Sequence, residues 1–440
     1  MSRPVQVKGL ETVDAFRGHA ASVGADLPFD AEPDVAVLRR PVTVAGRACG
    51  NRFAVLPMEG WDGTEDGRPS DLVRRRWSRF GTSGAGLVWG GEAYAVCPDG
   101  RANPHQLCRG PSSARDLAEL RGLLDDDQVT GLQLTHSGRW SLESRPARRD
   151  PLLDQRRSGP PLTDAELDAL ADDYVATAAL AQEAGFDFVD VKACHGYLLH
   201  ELLSGHERDG PHGGDLAGRS LLLRTVIERV RELGMPVGVR LSVFDVVPHR
   251  AGPDGVGEPE ADVGDAFGFD EPLELLELLD PLGVDLVCVT AGSPYYSPHV
   301  QRPAYFPPSD GYRPPEEPLV GVARLLDACS TLAAARPDIT FVATGLTYLQ
   351  EWVPNVASAL VRQGGAALVG LGRMALSYPD LPADVLAGRI PDRRRLCRTF
   401  SDCTTAPRNG LVSGCWPLDD HYRQRSDRVV LAAAKKRARG

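Results

Sequence analysis

The segment DVKACHGYLLHELL, residues 190–203, places an ammonium, an imidazole and a phenol close together in the chain, as Lys192, His195 and Tyr197. Side chains of these types can polarise a carbonyl and pass a proton to a neighbouring carbon, because charge developing on an oxygen is best met by donors already in place. Each residue has a plainer reading when taken alone: a surface cation, a satisfied core histidine, a core aromatic. Three polar groups directly after an apolar run weigh against that reading and make a candidate catalytic set.

Such a set needs a strand before it and a helix after it, and that alternation runs through the chain. Short apolar runs recur at FAVLP (53–57), GLVWG (86–90), GLQLT (131–135), DFVDV (187–191), PVGVRL (236–241), DLVCVT (285–290), TFVAT (340–344) and ALVGL (367–371). They are apolar on both faces, as expected of parallel strands covered on both sides, and most intervals leave room for a helix. The clearest helix starts at Thr163, where TDAE reads as a capping box and Leu167, Leu170, Tyr174, Ala178 and Ala181 form one apolar stripe, with Gly185 as its stop. Eight such units predict an α/β fold, a (β/α)8 TIM barrel over 41–391, rather than an open doubly wound sheet. Residues 1–40 read as an N-terminal extension and 392–440 as a Cys- and Arg-containing tail packed on the barrel. The Gly-, Pro- and Asp-rich stretch 246–269 reads as a long loop over the strand ends, where barrels of this kind keep their chemistry.

Composition narrows the function classes. A chain of 440 residues with 42% hydrophobic content can bury a large core, and a formal charge of −11 argues against general affinity for nucleic acid or anionic membranes. No N-terminal charged-plus-apolar signal and no uninterrupted run of about 18 apolar residues is present, so the expected location is cytoplasmic. Nine cysteines spread along the chain read as reduced thiols. The expected partner is a small-molecule substrate, no metal site is expected, and a homo-oligomer is left open.

With strands and motifs in register, the chain resembles the old yellow enzyme family of FMN-dependent ene-reductases from about residue 40 to 419. The resemblance is carried by NRFAVLPMEG, GLVWGGEAYAVCPDGR, GLQLTHSGR, KACHGYLLHELLS and GLGRMAL, in that order and at the right strand ends. It implies that Pro57, Met58, Glu59 and Ala93 lie near a flavin ring and that Gln133 bonds its pyrimidine edge. Arg240 would stabilise negative charge on reduced flavin. Gly345, Gly372 and Arg373 would hold the FMN phosphate, at the usual phosphate position of such barrels. Lys192 and His195 would bind the substrate's activating oxygen while Tyr197 protonates the alkene, with NAD(P)H as electron donor.

Three departures from the family pattern stand out. Lys192 occupies a position where His is usual, which leaves substrate preference open. Glu59 stands where Thr or Cys is common; ionised, it would disfavour anionic reduced flavin, and protonated, it could donate a hydrogen bond. Longer relatives of the 2,4-dienoyl-CoA reductase and trimethylamine dehydrogenase type carry a C-x2-C-x3-C-x11-C iron–sulfur motif. Here Cys403 and Cys415 keep the last spacing, Leu396 and Thr399 fall on the first two positions, and Cys397 is one residue off. An iron–sulfur cluster is therefore not expected. The loop SPYYSPHVQRPAYF, 293–306, would place Tyr295, Tyr296, His299 and Arg302 around the mouth as substrate contacts, or serve as a rigid Pro-rich structural loop. The expected activity is hydride transfer from NAD(P)H through FMN to the C=C bond of an α,β-unsaturated carbonyl. The alternatives are the reverse dehydrogenase or desaturase reaction, a non-redox aldolase or lyase using Lys192 as a Schiff-base amine, and a barrel kept only for binding.

Overall fold

The computed structural model describes residues 4–244, 250–251, 257–258 and 268–437, so the expected loop 246–269 lies largely outside the described residues. All eight apolar runs form strands: β1 (Phe53–Val55), β2 (Leu87–Val88), β3 (Val129–Thr135), β4 (Phe188–Ala193), β5 (Val237–Ser242), β6 (Leu286–Thr290), β7 (Thr340–Ala343) and β8 (Leu368–Leu371). Every neighbouring pair is parallel, and β8 returns to β1 with Val369 opposite Phe53 and Leu371 opposite Val55, which closes the barrel. A short strand Ala93–Ala95 continues past β2 and pairs with the C-terminal half of β3.

Two apolar volumes hold this arrangement. Inside the barrel, Ala54, Leu87, Val129, Phe188, Leu286, Val342 and Leu368 point at one another, and the hairpin Val42–Val44/Arg47–Cys49 adds Val44 and Cys49. Trp89 meets Phe188 edge-on at 5.4 Å within this layer. Gly131 is required here, because a Cβ would stand 2.4 Å from the Trp89 carbonyl oxygen. The larger volume lies between strands and outer helices. The helix Pro318–Ala335 is long and apolar enough to meet the size of a membrane span, yet Leu319, Val322, Leu325, Leu326, Cys329 and Leu332 are buried in the barrel wall. Outside the barrel, Phe16 and Phe29 of the N-terminal segment pack on Trp352, and Asp419 of the tail accepts from Arg75 at 2.9 Å and Arg79 at 2.6 Å.

The helix Asp164–Glu183 carries the capping box read from sequence: Thr163 Oγ1 accepts the Glu166 N–H at 3.3 Å and Glu166 Oε2 accepts the Thr163 N–H at 2.8 Å. Its five stripe residues are all buried. Thr163→Ala removes one capped amide and should lower the unfolding free energy by about 1 kcal/mol, read as a lower urea midpoint at unchanged slope.

His136, just past β3, is 4% exposed, and its Nδ1 accepts the Gly138 N–H at 3.1 Å. Burial, with Arg145 adding like charge, pushes its imidazole down to about 4. Between the unfolded value near 6.5 and that folded value, the unfolded chain binds a proton that the folded chain refuses, so stability falls as pH drops through this window. Asp190, pushed up to about 6 by burial, acts in the opposite direction. His136→Asn, which keeps an acceptor near Gly138, should reduce the stability lost between pH 7 and pH 5 by about 2 kcal/mol relative to wild type, measured by urea unfolding at both pH values.

Candidate active site

The cavity at the C-terminal ends of the strands is built from its floor upward. Asp190 on β4 is fully buried. Its Oδ2 accepts Trp89 Nε1 and Gln133 Nε2, each at 2.6 Å, and its Oδ1 accepts the Arg240 backbone N–H at 2.7 Å. One carboxylate thus ties β3, β4 and β5 to the residue that follows β2. Because the Gln133 NH2 is committed to Asp190, its carbonyl oxygen is what remains for a ligand. The Arg240 guanidinium reaches the Pro57 carbonyl at 3.4 Å through Nη1, while its Nε has no partner among the described residues.

On the β1 side the loop is anchored by a buried ion cluster. Asp62 and Glu92 both close on Arg76 of the helix Asp71–Gly81, with one Arg76–Asp62 contact at 3.1 Å, and the Gly60 N–H donates to Glu92 Oε2 at 3.3 Å. Fixed by that anchor, Glu59 reaches across the mouth. Lys192 Nζ lies 2.5 Å from Glu59 Oε1, and the Tyr197 hydroxyl donates to Glu59 Oε2 at 2.6 Å. The lysine ammonium also sits 3.9 Å from the centre of the Tyr197 ring. Burial and the adjacent Glu59 carboxylate hold the Tyr197 phenol well above its ordinary value.

His195 stands in a left-handed backbone conformation (φ 64°), followed by Gly196 at φ 71°. Only glycine serves at the second position, since a Cβ would stand 2.5 Å from Ser293 Oγ. The Gly196 N–H donates to His200 Nδ1 at 2.7 Å, fixing the turn. His195 Nε2 is buried without a partner among the described residues. Burial and the nearby Arg240 and Lys192 charges push its imidazole well below the ordinary value, so the ring is neutral.

The opposite end is cationic. Arg373 Nη2 donates to the Pro303 carbonyl at 2.7 Å and leaves Nη1 unpartnered; Arg302 Nη1 donates to Thr404 Oγ1 at 2.7 Å. Burial beside Arg373 and Arg408 pushes Arg302 down to about 9. Gly345 has φ 91°, and the space where a Gly372 Cβ would stand is empty to 4 Å. Arg240, Arg302 and Arg373 face the cavity with no ion pair among the described residues. An anion beside Arg373 and a polar ring system over Gln133 and Arg240 would meet these unpartnered donors, so the residues present fit an FMN.

The same cavity is lined by Pro57, Met58, Glu59, Gln133, Lys192, His195, Tyr197, Arg240, Tyr295, Arg302, Gly345, Gly372 and Arg373. Three expected residues do not line it. Ala93 is taken into strand pairing with Gln133, the Tyr296 hydroxyl donates to Asp150, and His299 Nδ1 is 2.5 Å from the Tyr312 hydroxyl. Tyr296 and His299 thus turn to protein partners, while Tyr295, stacked on Trp140 at 3.6 Å, faces the cavity. Sequence reasoning missed Trp61, Gln301, Thr347, Cys403 and Arg408 in the lining. Near the tail cysteines, the Cys397 N–H donates to Met374 Sδ and Cys397 Sγ accepts the Thr399 N–H, both at 3.4 Å, while Leu396 is buried.

The sequence profile of the NADH:flavin oxidoreductase / NADH oxidase family matches residues 38–257, half of the chain. Relatives include an NADPH dehydrogenase of Geobacillus thermodenitrificans, 29% identical over 266 residues (58% of this chain, 73% of that protein). Another, from Geobacillus sp. WCH70, is 27% identical over 338 residues (74% of this chain, 94% of that protein). Among solved structures, a complex of 2-naphthoyl-CoA reductase with 2-naphthoyl-CoA superposes with TM-score 0.72 at 17% identity, covering 88% of this chain and 58% of that one. Histamine dehydrogenase from Rhizobium sp. 4-9 gives 0.65 at 20%, covering 87% and 52%. Morphinone reductase with tetrahydroNAD gives 0.59 at 20%, covering 81% and 92%. The chain thus spans just over half the length of the first two of these structures, and at such identities the likeness establishes the barrel fold. The chain belongs to the NADH:flavin oxidoreductase / NADH oxidase family, the old yellow enzyme family that its motifs resemble.

Proposed function

We propose that this protein is an FMN-dependent oxidoreductase that takes hydride from NAD(P)H and passes it to a C=C bond conjugated to a carbonyl. The observation that carries this reading is the meeting, in one cavity, of the unpartnered cationic donors with the Lys192–His195–Tyr197 set. Bound FMN would supply the hydride chemistry that no side chain here offers. Gln133, Arg240, Gly345, Gly372 and Arg373 are the residues that would hold it. In this reading His195 Nε2 would receive the substrate oxygen, and Tyr197 Oη would exchange a proton with the carbon α to the carbonyl.

The ion pair with Glu59 gives Lys192 a different part from the one expected of a substrate donor. Its nitrogen faces a carboxylate at 2.5 Å rather than open cavity, an arrangement that suits charge balance better than nucleophilic attack on a carbonyl. The Schiff-base alternative is correspondingly disfavoured. Leu396 and Thr399 offer no thiolates at the first two cluster positions, so the proposed electron source is NAD(P)H acting directly at the flavin.

The purified protein should be yellow or take up added FMN, and its iron content should be near zero after anaerobic purification. Arg373→Gln should weaken FMN retention by roughly tenfold or more, the loss of a charge-assisted contact, with circular dichroism unchanged. Tyr197→Phe should spare reduction by NAD(P)H while slowing consumption of an enone about 100-fold. A colourless protein that refuses FMN would end this reading, and equal loss of both half-reactions in Tyr197→Phe would remove the tyrosine from its role.

A further inference from the structure

The hydroxyl of Tyr197 donates its hydrogen bond to Glu59 and also meets the Tyr295 hydroxyl, so what its oxygen can turn toward a substrate is an acceptor lone pair, not a proton. Among the described residues Glu59 is the only carboxylate lining that cavity, and Lys192 holds its second oxygen. The arrangement is that of a base with a place to store what it collects. From it we propose that Glu59 and Tyr197 form a two-step proton relay that removes an acidic C–H proton α to a substrate carbonyl, with Lys192 balancing the charge. The inference deepens the functional reading above and rests on it for the identity of the site, though not for the proton step itself.

The step balances without any change of oxidation state. The substrate α C–H bond breaks as a new O–H bond forms at Tyr197 Oη, while the original Tyr197 O–H proton moves to Glu59 Oε2. The electron pair of the C–H bond passes to the carbonyl oxygen, where the unpartnered His195 Nε2 stands to receive the enolate. In reverse, a protonated Glu59 refills Tyr197 as it protonates carbon. Without Glu59, proton loss from Tyr197 would leave an isolated phenolate; with an ionised Glu59 and no relay, it would leave two adjacent anions against one ammonium.

Among the described residues, the charged and titratable groups facing the dyad are Lys192 over the ring, Tyr295 beside the phenol, Cys194 beneath Glu59 and Lys192, and Arg240, His195 and Arg408 farther around the cavity. Burial and the Glu59 carboxylate both oppose ionisation of Tyr197. Removing the carboxylate by Glu59→Gln leaves the Lys192 ammonium unpaired against the same ring, and the phenol should then ionise at lower pH.

Two measurements test the relay. Ultraviolet difference titration of the flavin-free full chain, with Tyr197→Phe subtracted, should show Tyr197 ionising at lower pH in Glu59→Gln than in wild type; an unmoved or raised titration overturns the coupling. Because no flavin is needed, this result stands apart from any failure to bind FMN. Proton NMR of cyclohexanone in D2O with wild-type protein should show loss of the α-hydrogen signals faster than buffer alone. The rate should fall about 100-fold in Tyr197→Phe and in Glu59→Gln, and Glu59→Asp should recover part of it. No exchange above the buffer rate in wild type, or exchange indifferent to Glu59→Gln, overturns the proposal. Unchanged circular dichroism of Glu59→Gln and Tyr197→Phe separates loss of the relay from loss of the fold.

Discussion

A carboxylate taken out of water must be surrounded by donors, and that constraint ties the strands of this barrel to its chemistry. Asp190 meets it at the floor with two side-chain donors and a backbone N–H drawn from its neighbours. The consequence is geometric. Trp89, Gln133 and Arg240 cannot move independently, because each donates to the same buried group. Any ligand resting on Gln133 and Arg240 rests on a surface already fixed by Asp190, and such preorganisation keeps the cost of ordering out of binding.

The rim obeys the same rule with different partners. Glu59 finds an ammonium and a phenol, both from the segment after β4, and its own loop is held in place by Arg76 between Asp62 and Glu92. Toward the far end of the cavity the requirement is reversed: Arg302 and Arg373, like Arg240 beside Lys192 on β5, have no carboxylate in contact among the described residues. Among the described residues the cavity is therefore polar in the literal sense, with Glu59 toward the β4 side and the guanidinium groups of Arg302 and Arg373 toward the ends of β6 and β8. A ligand with a phosphate at one end and a reactive ring at the other matches that layout in a single orientation.

Much of the frame was legible in the sequence because parallel strands buried on both faces leave uninterrupted apolar runs, and all eight runs became barrel strands. The capping box at Thr163 was legible because its two bonds lie three residues apart. The Glu59–Lys192 pair was not, since 133 residues separate its members and only barrel closure brings them together. The same holds for Arg76 with Glu92, whose partnership depends on how a helix and a loop pack rather than on any local period. The Pro-rich loop 293–306 has no periodicity to say which side chains turn inward, so Tyr295 and Arg302 line the cavity while Tyr296 and His299 turn to Asp150 and Tyr312.

Two features that look separate in the sequence, a lysine where the family has histidine and a glutamate where it has threonine or cysteine, become one feature in the fold. A lysine 3% exposed beside a neutral histidine would be an uncompensated buried charge, a defect that typically costs several kcal/mol when a partner is removed. A carboxylate at Glu59 without the ammonium would face the Tyr197 phenol alone. Each residue makes the other tolerable, so neither change reads as a simple substitution into the family's site. What the pair adds beyond charge balance is a hydrogen-bond acceptor aimed at the tyrosine, at a position where a threonine or cysteine would not supply a carboxylate. The chemistry peculiar to this chain therefore lies in that pair, while the barrel, the Asp190 floor and the cationic end supply the frame in which it acts.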